Sequence, residues 1–347
     1  MKHGFYVPVF PASSHASKYL KNNSEKALRD ICQSHVIENR NKFYVKNGLI
    51  NISIKKSPPP DKEISRWRLE KSTIRSESEF DWYLIHFEKV DNEDLFDSLE
   101  FRFKEGGYRD VYFDEYEYQF IYDVFSDILK LITLSINISC PGCFEYDKFI
   151  HVSDKRSSVG FSMFSFFEGT NEYVEYKDKI HFDFIDFSSA LYWVSKVENL
   201  FDGMPKTSSS NIINAFSHLF YFSVEGDHDS EMMWTMMGLE SFYCEGRQVQ
   251  RDLRARVRKF LGDDISPSDI NQLYNIRSRY VHGQTPIYGP WNETRRSAIS
   301  GNKEIDLQDY FDLAKYILIR TLQKCCKEQI IDIEFEDKVQ FNLSIIK

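Results

Sequence analysis

The 347-residue chain lacks the long apolar segments and the nucleotide-binding motifs that mark several protein classes. No apolar run reaches the ~18 residues needed to cross a bilayer, which argues against an ordinary transmembrane helix. Pro8 and Pro11 interrupt the short apolar run near the start, so we expect no signal peptide there. P-loop and Rossmann glycine patterns and a Ser/His/Asp signature are also missing, and nothing predicts a cofactor.

Cysteine is scarce as well, with six residues at irregular spacings, which argues against a disulfide framework. Reduced thiols and a cytoplasmic location are therefore expected. Cys140 and Cys143 form a single CxxC motif, and His151 is the nearest further metal ligand. Because a zinc site needs two more ligands, the sequence favours structural thiols over a metal site.

Positive charge is in deficit: the net charge is −9 and the isoelectric point is near 5.6. This argues against a protein that covers itself with nucleic acid or with anionic membrane, so such a partner must meet a local basic patch. Hydrophobic residues make up 42% of the chain and aromatic residues 16%, enough to build a core in each of two domains.

The spacing of apolar residues divides the chain near Ser188. Before that point, apolar and polar residues alternate in many segments, which predicts an N-terminal mixed α/β domain with an antiparallel sheet over residues 1–187. Asn47-Gly48 predicts a hairpin turn. Strands are predicted at 82–87, 99–103, 111–118, 159–167 and 180–184, and helices at 25–37 and 120–136.

After Ser188 the apolar period becomes helical and predicts an all-α bundle over residues 188–329. The predicted helices are 189–200, 209–224, 230–244, 249–261, 267–282 and 307–328. Residues 330–347 alternate again and predict a C-terminal β-hairpin that returns to the N-terminal sheet. The predicted fold class is α+β.

One predicted helix carries an arginine within its apolar stripe. Ser266 and Pro267 predict its start, and Gly283 predicts its end. The apolar stripe of this helix consists of Ile270, Leu273, Tyr274 and Val281. Arg277, seven residues after Ile270, takes the remaining position of the same stripe. A buried guanidinium needs an anion, because an uncompensated buried charge is very costly.

A neighbouring helix offers that anion. Glu240 interrupts a stripe formed by Met233, Met236, Met237 and Cys244 in the same way. We therefore predict that Glu240 pairs with Arg277. The pair has two readings, a structural ion pair or part of an active site, and the pattern alone does not separate them.

Between these two helices lies a basic amphipathic segment, "RQVQRDLRARVRKFL". Its cations predict a docking surface for phosphate. The alternative is a solvated helix face whose arginines pair with acids of the first domain. The cations are Arg247, Arg251, Arg254, Arg256, Arg258 and Lys259.

Taken together, "MGLESFY", the basic helix and "LYNIRSRYVHG" resemble the Apea-like branch of the HEPN domains, helical bundles with an Arg and a His four to six residues apart. The resemblance covers the C-terminal half only. Ser278 departs from the Asn, Asp or His that is frequent beside the arginine. A second such spacing, Arg29 to His35, places Arg29 off the apolar stripe of its own helix, so we attribute it to chance.

The resemblance implies a metal-independent endoribonuclease that works as a homodimer in bacterial anti-phage defence (abortive infection) or as a toxin. Its RNA substrate, for which tRNA is one candidate, would be cut by attack of the 2′-OH at a composite dimer site. Arg277 and His282 would be catalytic. The supporting residues would be Ser278, Arg279, Glu240 and Tyr274, and the six cations of the basic segment would bind the RNA.

Two other readings stay open from the sequence. The first is a non-catalytic HEPN-like scaffold for dimerisation or RNA binding, in which Arg277 and Glu240 are structural. A weaker reading makes the chain a ligand-binding regulator that acts through the aromatic-rich N-terminal domain. In the nuclease hypothesis that domain senses an unknown trigger or restrains the enzyme, and neither a cofactor nor a membrane is expected.

Overall fold

The computed structural model describes residues 2–10, 50–70, 81–89, 113–141, 145–146, 148–154, 157–159, 183–197, 211–225, 228–244, 248–263, 265–284, 297–300, 303–335 and 341–345. The chain divides into two compact units. The first comprises Met1–Leu134 and Cys143–Phe164, and the second comprises Ser135–Gly142 and Ser165–Lys347. The fold is mixed α+β.

The first unit contains a six-stranded sheet in the order β2-β3-β1-β5-β6, with β4 paired to the end of β1. Its strands are β1 Lys2–Phe10, β2 Ile50–Lys56, β3 Asp81–Lys89, β4 Glu145–Tyr146, β5 Ile150–Ser153 and β6 Ser157–Val159. Each of these pairings is antiparallel, which confirms the predicted antiparallel sheet.

Helices α1 (Asp61–Glu70) and α2 (Phe113–Ser139) contact opposite faces of this sheet. Alternation along β1 directs Phe5 to α2, where its ring lies 4.0 Å from that of Phe125, centroid to centroid. On the other face, Trp67 of α1 packs edge-on against Trp82 of β3 at 5.1 Å. The described aromatic side chains of this unit therefore build its core.

Part of the sequence prediction for the first domain is wrong. Residues 111–118 were predicted as a strand, yet α2 begins at Phe113. The strongly apolar helical segment from Ile121 onward extends back through this aromatic stretch, because adding a residue to an existing helix costs much less than nucleating one. The hairpin at Asn47-Gly48, the helix at 25–37 and the strand at 99–103 lie outside the described residues.

The second unit carries six further helices, and each overlaps a predicted one. They are α3 Phe187–Lys196, α4 Asn211–Glu225, α5 His228–Tyr243, α6 Val249–Leu261, α7 Pro267–Val281 and α8 Leu307–Lys327. Helix α5 packs against α4, α6, α7 and α8. Gly238 permits a close approach, since a Cβ there would lie 3.1 Å from Leu318 of α8 and 3.3 Å from His218 of α4.

Two antiparallel strand pairs accompany these helices: β7 Ser297–Ser300 with β8 Lys303–Asp306, and β9 Ile330–Phe335 with β10 Phe341–Ile345. The pair β9–β10 forms a sheet of its own and is not hydrogen-bonded into the N-terminal sheet among the described strands. The packing of residues 330–347 on the N-terminal domain stays a prediction. Hydrogen bonds within the second unit hold β9. Trp193 donates to the Ile330 carbonyl at 2.6 Å, and Asn211 donates to the Ile333 carbonyl at 3.1 Å.

The observed units also differ from the predicted boundary at residue 188. Residues 165–187 belong to the second unit, and so does the short segment Ser135–Gly142 at the end of α2. Within that unit the Ser139 hydroxyl donates to the Ile185 carbonyl at 2.5 Å, and Gln323 of α8 donates to the Ile138 carbonyl at 2.9 Å. Throughout the described part of the chain, no helix has the length and apolar character needed to cross a bilayer.

Candidate active site

Helix α7 has the ends that its sequence predicts. Ser266 is the N-cap, and its side chain accepts a hydrogen bond from the Asp269 amide at 3.1 Å. Pro267 follows at the first helical position, where its missing N–H is harmless. At the other end the helix gives way to His282, and Gly283 has a φ of +66°, a conformation that favours glycine.

Arg277 of α7 and Glu240 of α5 form the predicted ion pair. Arg277 Nη2 donates to Glu240 Oε2 at 2.9 Å. Arg277 Nε also lies 2.9 Å from Glu240 Oε1, but at an angle outside hydrogen-bond geometry. The two side chains are 23% and 15% exposed, so the pair lies at the edge of the bundle and not in its centre.

The carboxylate therefore occupies one edge of the guanidinium, formed by Nε and Nη2. Among the described residues nothing bonds to Nη1 of Arg277. Because a guanidinium carries five N–H donors in a planar fork, the remaining edge can still bind a phosphate. Glu240 thus fixes the orientation of Arg277 without using all of its donors.

The apolar stripes around this pair differ from the predicted ones. In α7 the buried residues are Ile270, Leu273, Ile276 and Tyr280. Val281, predicted to be buried with them, is 48% exposed, and Met237 of α5 is 37% exposed. Arg277 and Glu240 therefore lie on partly exposed rows of their helices, beside fully buried ones. Tyr274 has intermediate exposure on the same row as Arg277.

His282 follows α7 as its C-cap residue and is exposed. Its amide donates to the Ser278 carbonyl at 3.0 Å, and the Arg279 carbonyl accepts from the Gln284 amide at 2.8 Å. These backbone bonds fix the turn that carries the imidazole. Five residues of helix separate His282 from Arg277 by about 140° around the axis and about 7.5 Å along it.

Burial alters the acid–base properties of the groups beside Arg277. Burial raises the pKa of the Glu240 carboxyl above its ordinary value, and the neighbouring Arg277 opposes that shift. Burial also raises the pKa of the Cys244 thiol to about 12, with a further contribution from the Glu240 carboxylate. Cys244, the residue after α5, is therefore a neutral thiol and not an activated nucleophile.

The basic helix α6 is only partly available to RNA. Arg254 and Lys259 are exposed, and Arg251 is exposed with a 3.4 Å contact to Asp252. Arg258 pairs with Asp263. Arg247 lies outside the described residues.

Arg256 contradicts the prediction that it binds RNA. It is 5% exposed, donates to the Tyr243 carbonyl at 2.9 Å and stacks over the Phe335 ring at 4.5 Å. The reason is its position in the helix, between Leu253 and Phe260 on the buried face. The sequence contained this signal, since residues 253, 256, 257 and 260 share one helical stripe.

The other candidate ligands in the sequence are placed as follows. Cys140 is buried, and Cys143 lies outside the described residues. His151 is fully buried in β5 and shares a 3.0 Å hydrogen bond with His3 of β1. Across the residues that the structure describes, no three His, Cys, Asp or Glu side chains converge as a metal site requires.

No protein-family model, curated protein or solved structure matches this chain. The resemblance to the Apea-like HEPN domains therefore rests on the residues themselves. It stays a prediction, and what it implies for activity is a proposal.

Proposed function

We propose that this chain is a metal-independent endoribonuclease of the Apea-like HEPN type, acting as a homodimer in bacterial anti-phage defence or as a toxin. The observation that supports it best is the arrangement at α7: Arg277 is oriented by Glu240 at a partly exposed position, and His282 is exposed five residues further along the chain.

The residues fit phosphodiester cleavage by the neighbouring ribose. The 2′-oxygen attacks phosphorus while a histidine takes the 2′-OH proton, and the bond from phosphorus to the 5′-oxygen breaks as that oxygen receives a proton. Arg277 stabilises the negative charge that develops on the non-bridging oxygens. The products are a 2′,3′-cyclic phosphate and a 5′-hydroxyl end.

A second copy of the chain is part of the proposal. The reaction needs one proton acceptor and one proton donor, and the described residues of α7 and its C-cap include one histidine, His282, on a different side of the helix from Arg277. A two-fold axis near α7 would place the His282 side chains of two copies together. Met237 and Val281, the exposed apolar residues of α5 and α7, supply apolar surface on the rows that carry Glu240 and Arg277.

The RNA path would extend from this site onto α6, whose exposed cations Arg254 and Lys259 are free to contact phosphates. Tyr274, Ser278 and Arg279 support the site in the proposal, through base contact and by holding the turn to His282. The N-terminal domain would sense a trigger or restrain the enzyme. We propose a cytoplasmic location, where RNA is available.

The test is cleavage of total RNA and of tRNA in EDTA by wild type, His282→Ala and a matched control, His86→Ala. His86 is a half-buried histidine of β3 in the first unit. Wild type and His86→Ala should cut and leave cyclic phosphates, whereas His282→Ala should fold, dimerise and not cut. Equal cleavage by wild type and His282→Ala would remove His282 from the mechanism.

A non-catalytic scaffold is the second candidate, because Glu240 accounts for much of the bonding capacity of Arg277 without any substrate. In a scaffold, wild type would bind RNA or dimerise without cutting it. His282→Ala would then leave both properties unchanged.

A further inference from the structure

A cleft in the second unit lies beside the N-terminal turn of α3 and the C-terminal end of α8, and no predicted site residue lies in it. Its volume is about 620 Å³, within the range of ligand-binding pockets. Phe184 and Tyr192 line it, 66% and 44% exposed. They are two of the four large apolar side chains that are exposed among the described residues.

These two rings are held on an ordered frame. The Asp186 side chain caps α3 by accepting from the Ser189 amide at 3.0 Å. Asp183, just before it, pairs with Arg320 at 2.6 Å and with Lys327 at 2.7 Å. Gln323 also donates to the Asp183 carbonyl at 2.6 Å. The segment that carries Phe184 is therefore fixed from both sides, although its ring is left in solvent.

Charge and polarity decide what the cleft can bind. Lys196 lies over the Tyr192 ring at 5.3 Å, and Lys327 lines the cleft. Asp183 pairs with both Arg320 and Lys327, so neither is a free cation. Glu328, at the same end of α8, is paired with Lys324. Lys196 is therefore the cation beside the rings that has no carboxylate partner among the described residues.

The walls offer binding groups but no nucleophile. Ser188, Ser189 and Gln329 add polar side chains at the rim. Cys326 also lines the cleft, but burial raises the pKa of its thiol to about 12, so it stays neutral and unreactive. Exposed rings beside ammonium groups and polar side chains are the elements that bind unpaired bases by stacking and their phosphates by charge.

We propose that this cleft is a binding site for unpaired nucleotides of single-stranded RNA, with Phe184 and Tyr192 as the stacking platforms and Lys196 as a phosphate contact. This assignment rests on the proposed function, since it names unpaired RNA as the substrate class. It adds a binding site in the second unit, separate in sequence from α6 and α7.

The test measures RNA affinity in the full-length chain with His282→Ala as background, so that RNA is not consumed. A short fluorescent single-stranded RNA and a duplex of the same sequence are titrated by fluorescence anisotropy. Combining Phe184→Ala with Tyr192→Ala should weaken single-strand binding by about tenfold or more and leave duplex binding unchanged. Lys196→Gln should lower the salt dependence of binding by about one charge.

Ring-retaining substitutions are the matched controls. Phe184→Tyr and Tyr192→Phe should bind as the background does, because both keep a stacking face. In a chain that retains His282, the double alanine variant should raise the KM for RNA cleavage without changing kcat. Because both rings are exposed, truncating them should not unfold the protein.

Each outcome decides the assignment separately from the nuclease proposal. Loss of affinity in the ring variants of a chain that cuts no RNA would support the cleft alone and give the nuclease proposal no support. Cleavage by wild type with unchanged affinity in the ring variants would support the nuclease and overturn the cleft. Failure to bind single-stranded RNA at all would overturn the cleft. A change in sedimentation without a change in RNA affinity would also overturn it, since the rings would then be a protein contact.

Discussion

Glu240 and Arg277 join α5 to α7 through one hydrogen bond of 2.9 Å and one further 2.9 Å contact, at a position only partly open to solvent. Both helices place these charges next to fully buried rows of apolar residues. Each charge is therefore costly when left alone, and the two helices depend on one another for neutralisation.

The first prediction concerns this mutual dependence. Glu240→Leu should lower the free energy of unfolding by about 2 kcal/mol, less than for a fully buried pair because solvent still reaches both groups. The double variant Glu240→Leu with Arg277→Met should recover most of that loss, since no charge is stranded. Chemical denaturation measures both. Asp263→Asn, which breaks the exposed pair with Arg258, is the control and should change stability by less than about 0.5 kcal/mol. Additive losses in the double variant would contradict the prediction.

A second prediction follows from the raised pKa of Glu240. Because burial raises the pKa in the folded state above the ordinary value of about 4.3, the folded protein binds this proton more tightly than the unfolded chain does. The contribution of Glu240 to stability is thus fully present below pH ~4.3 and is lost as pH rises through the folded pKa. The unfolding free energy of wild type minus that of Glu240→Gln should fall with pH over this window. A difference that rises with pH would show that Arg277 outweighs burial.

The sequence predicted the Glu240–Arg277 pair because two helical stripes each had one charged residue at the same offset. It did not predict which neighbouring row would be buried. In α5 and α7, adjacent rows are both apolar, and a helical repeat alone cannot tell a buried row from a partly exposed one. The prediction that Val281 and Met237 are buried is wrong for that reason. The close approach of Gly238 to Leu318 is a tertiary contact that no helical period reports.

Helix positions in the second unit were the most predictable feature, because caps and period agree there. Ser266, Pro267 and Gly283 each favour the observed ends of α7. By contrast, alternation predicts a strand over residues 180–184, and this is wrong at Phe184. That residue lies in the segment just before Asp186, the N-cap of α3. The cleft itself combines residues from α3 and from the end of α8, and no local pattern reports such a juxtaposition.

The third prediction tests the dimer part of the proposed function. Met237→Glu and Val281→Glu together should raise the dimer dissociation constant by about 100-fold, because charges would be buried without partners at the interface. Sedimentation velocity should then show monomers, and RNA cleavage should be lost. Tyr192→Glu, an equally drastic change on α3, should leave the dimer intact. A wild type that is monomeric at all concentrations, yet cuts RNA, would contradict the composite site.

The fourth prediction separates the exposed arginines of α6 from the buried one. Arg254→Gln should leave stability within about 0.5 kcal/mol, weaken RNA binding and lower its salt dependence by about one charge. Arg256→Met should instead lower stability by about 2 kcal/mol, because the Tyr243 carbonyl loses its donor and Phe335 its stacked cation. Thermal unfolding and RNA titrations at several salt concentrations distinguish the two. Reduced RNA affinity with unchanged stability in Arg256→Met would contradict this prediction and show that Arg256 contacts RNA.

The fifth prediction concerns the C-terminal strand β9, which the second unit incorporates. Phe335 is buried against the rings of Phe242 and Tyr243 and beneath Arg256. Phe335→Ala should therefore cost about 3 kcal/mol, and its effect should be confined to the second unit. Hydrogen exchange measures this directly: amides of α5 and α6 should lose protection, whereas those of β1 and β3 should not.

Glu334→Ala, an exposed change on the same strand, is the control for β9 and should leave exchange unchanged. Loss of protection in β1 and β3 instead would mean that the strand stabilises the N-terminal sheet.

Local loss of protection in α5 has a functional consequence as well, because α5 carries Glu240. Phe335→Ala should then loosen the orientation of Arg277 and lower RNA cleavage. Normal cleavage by a chain whose α5 amides exchange freely would show that the proposed site does not depend on the Glu240–Arg277 pair.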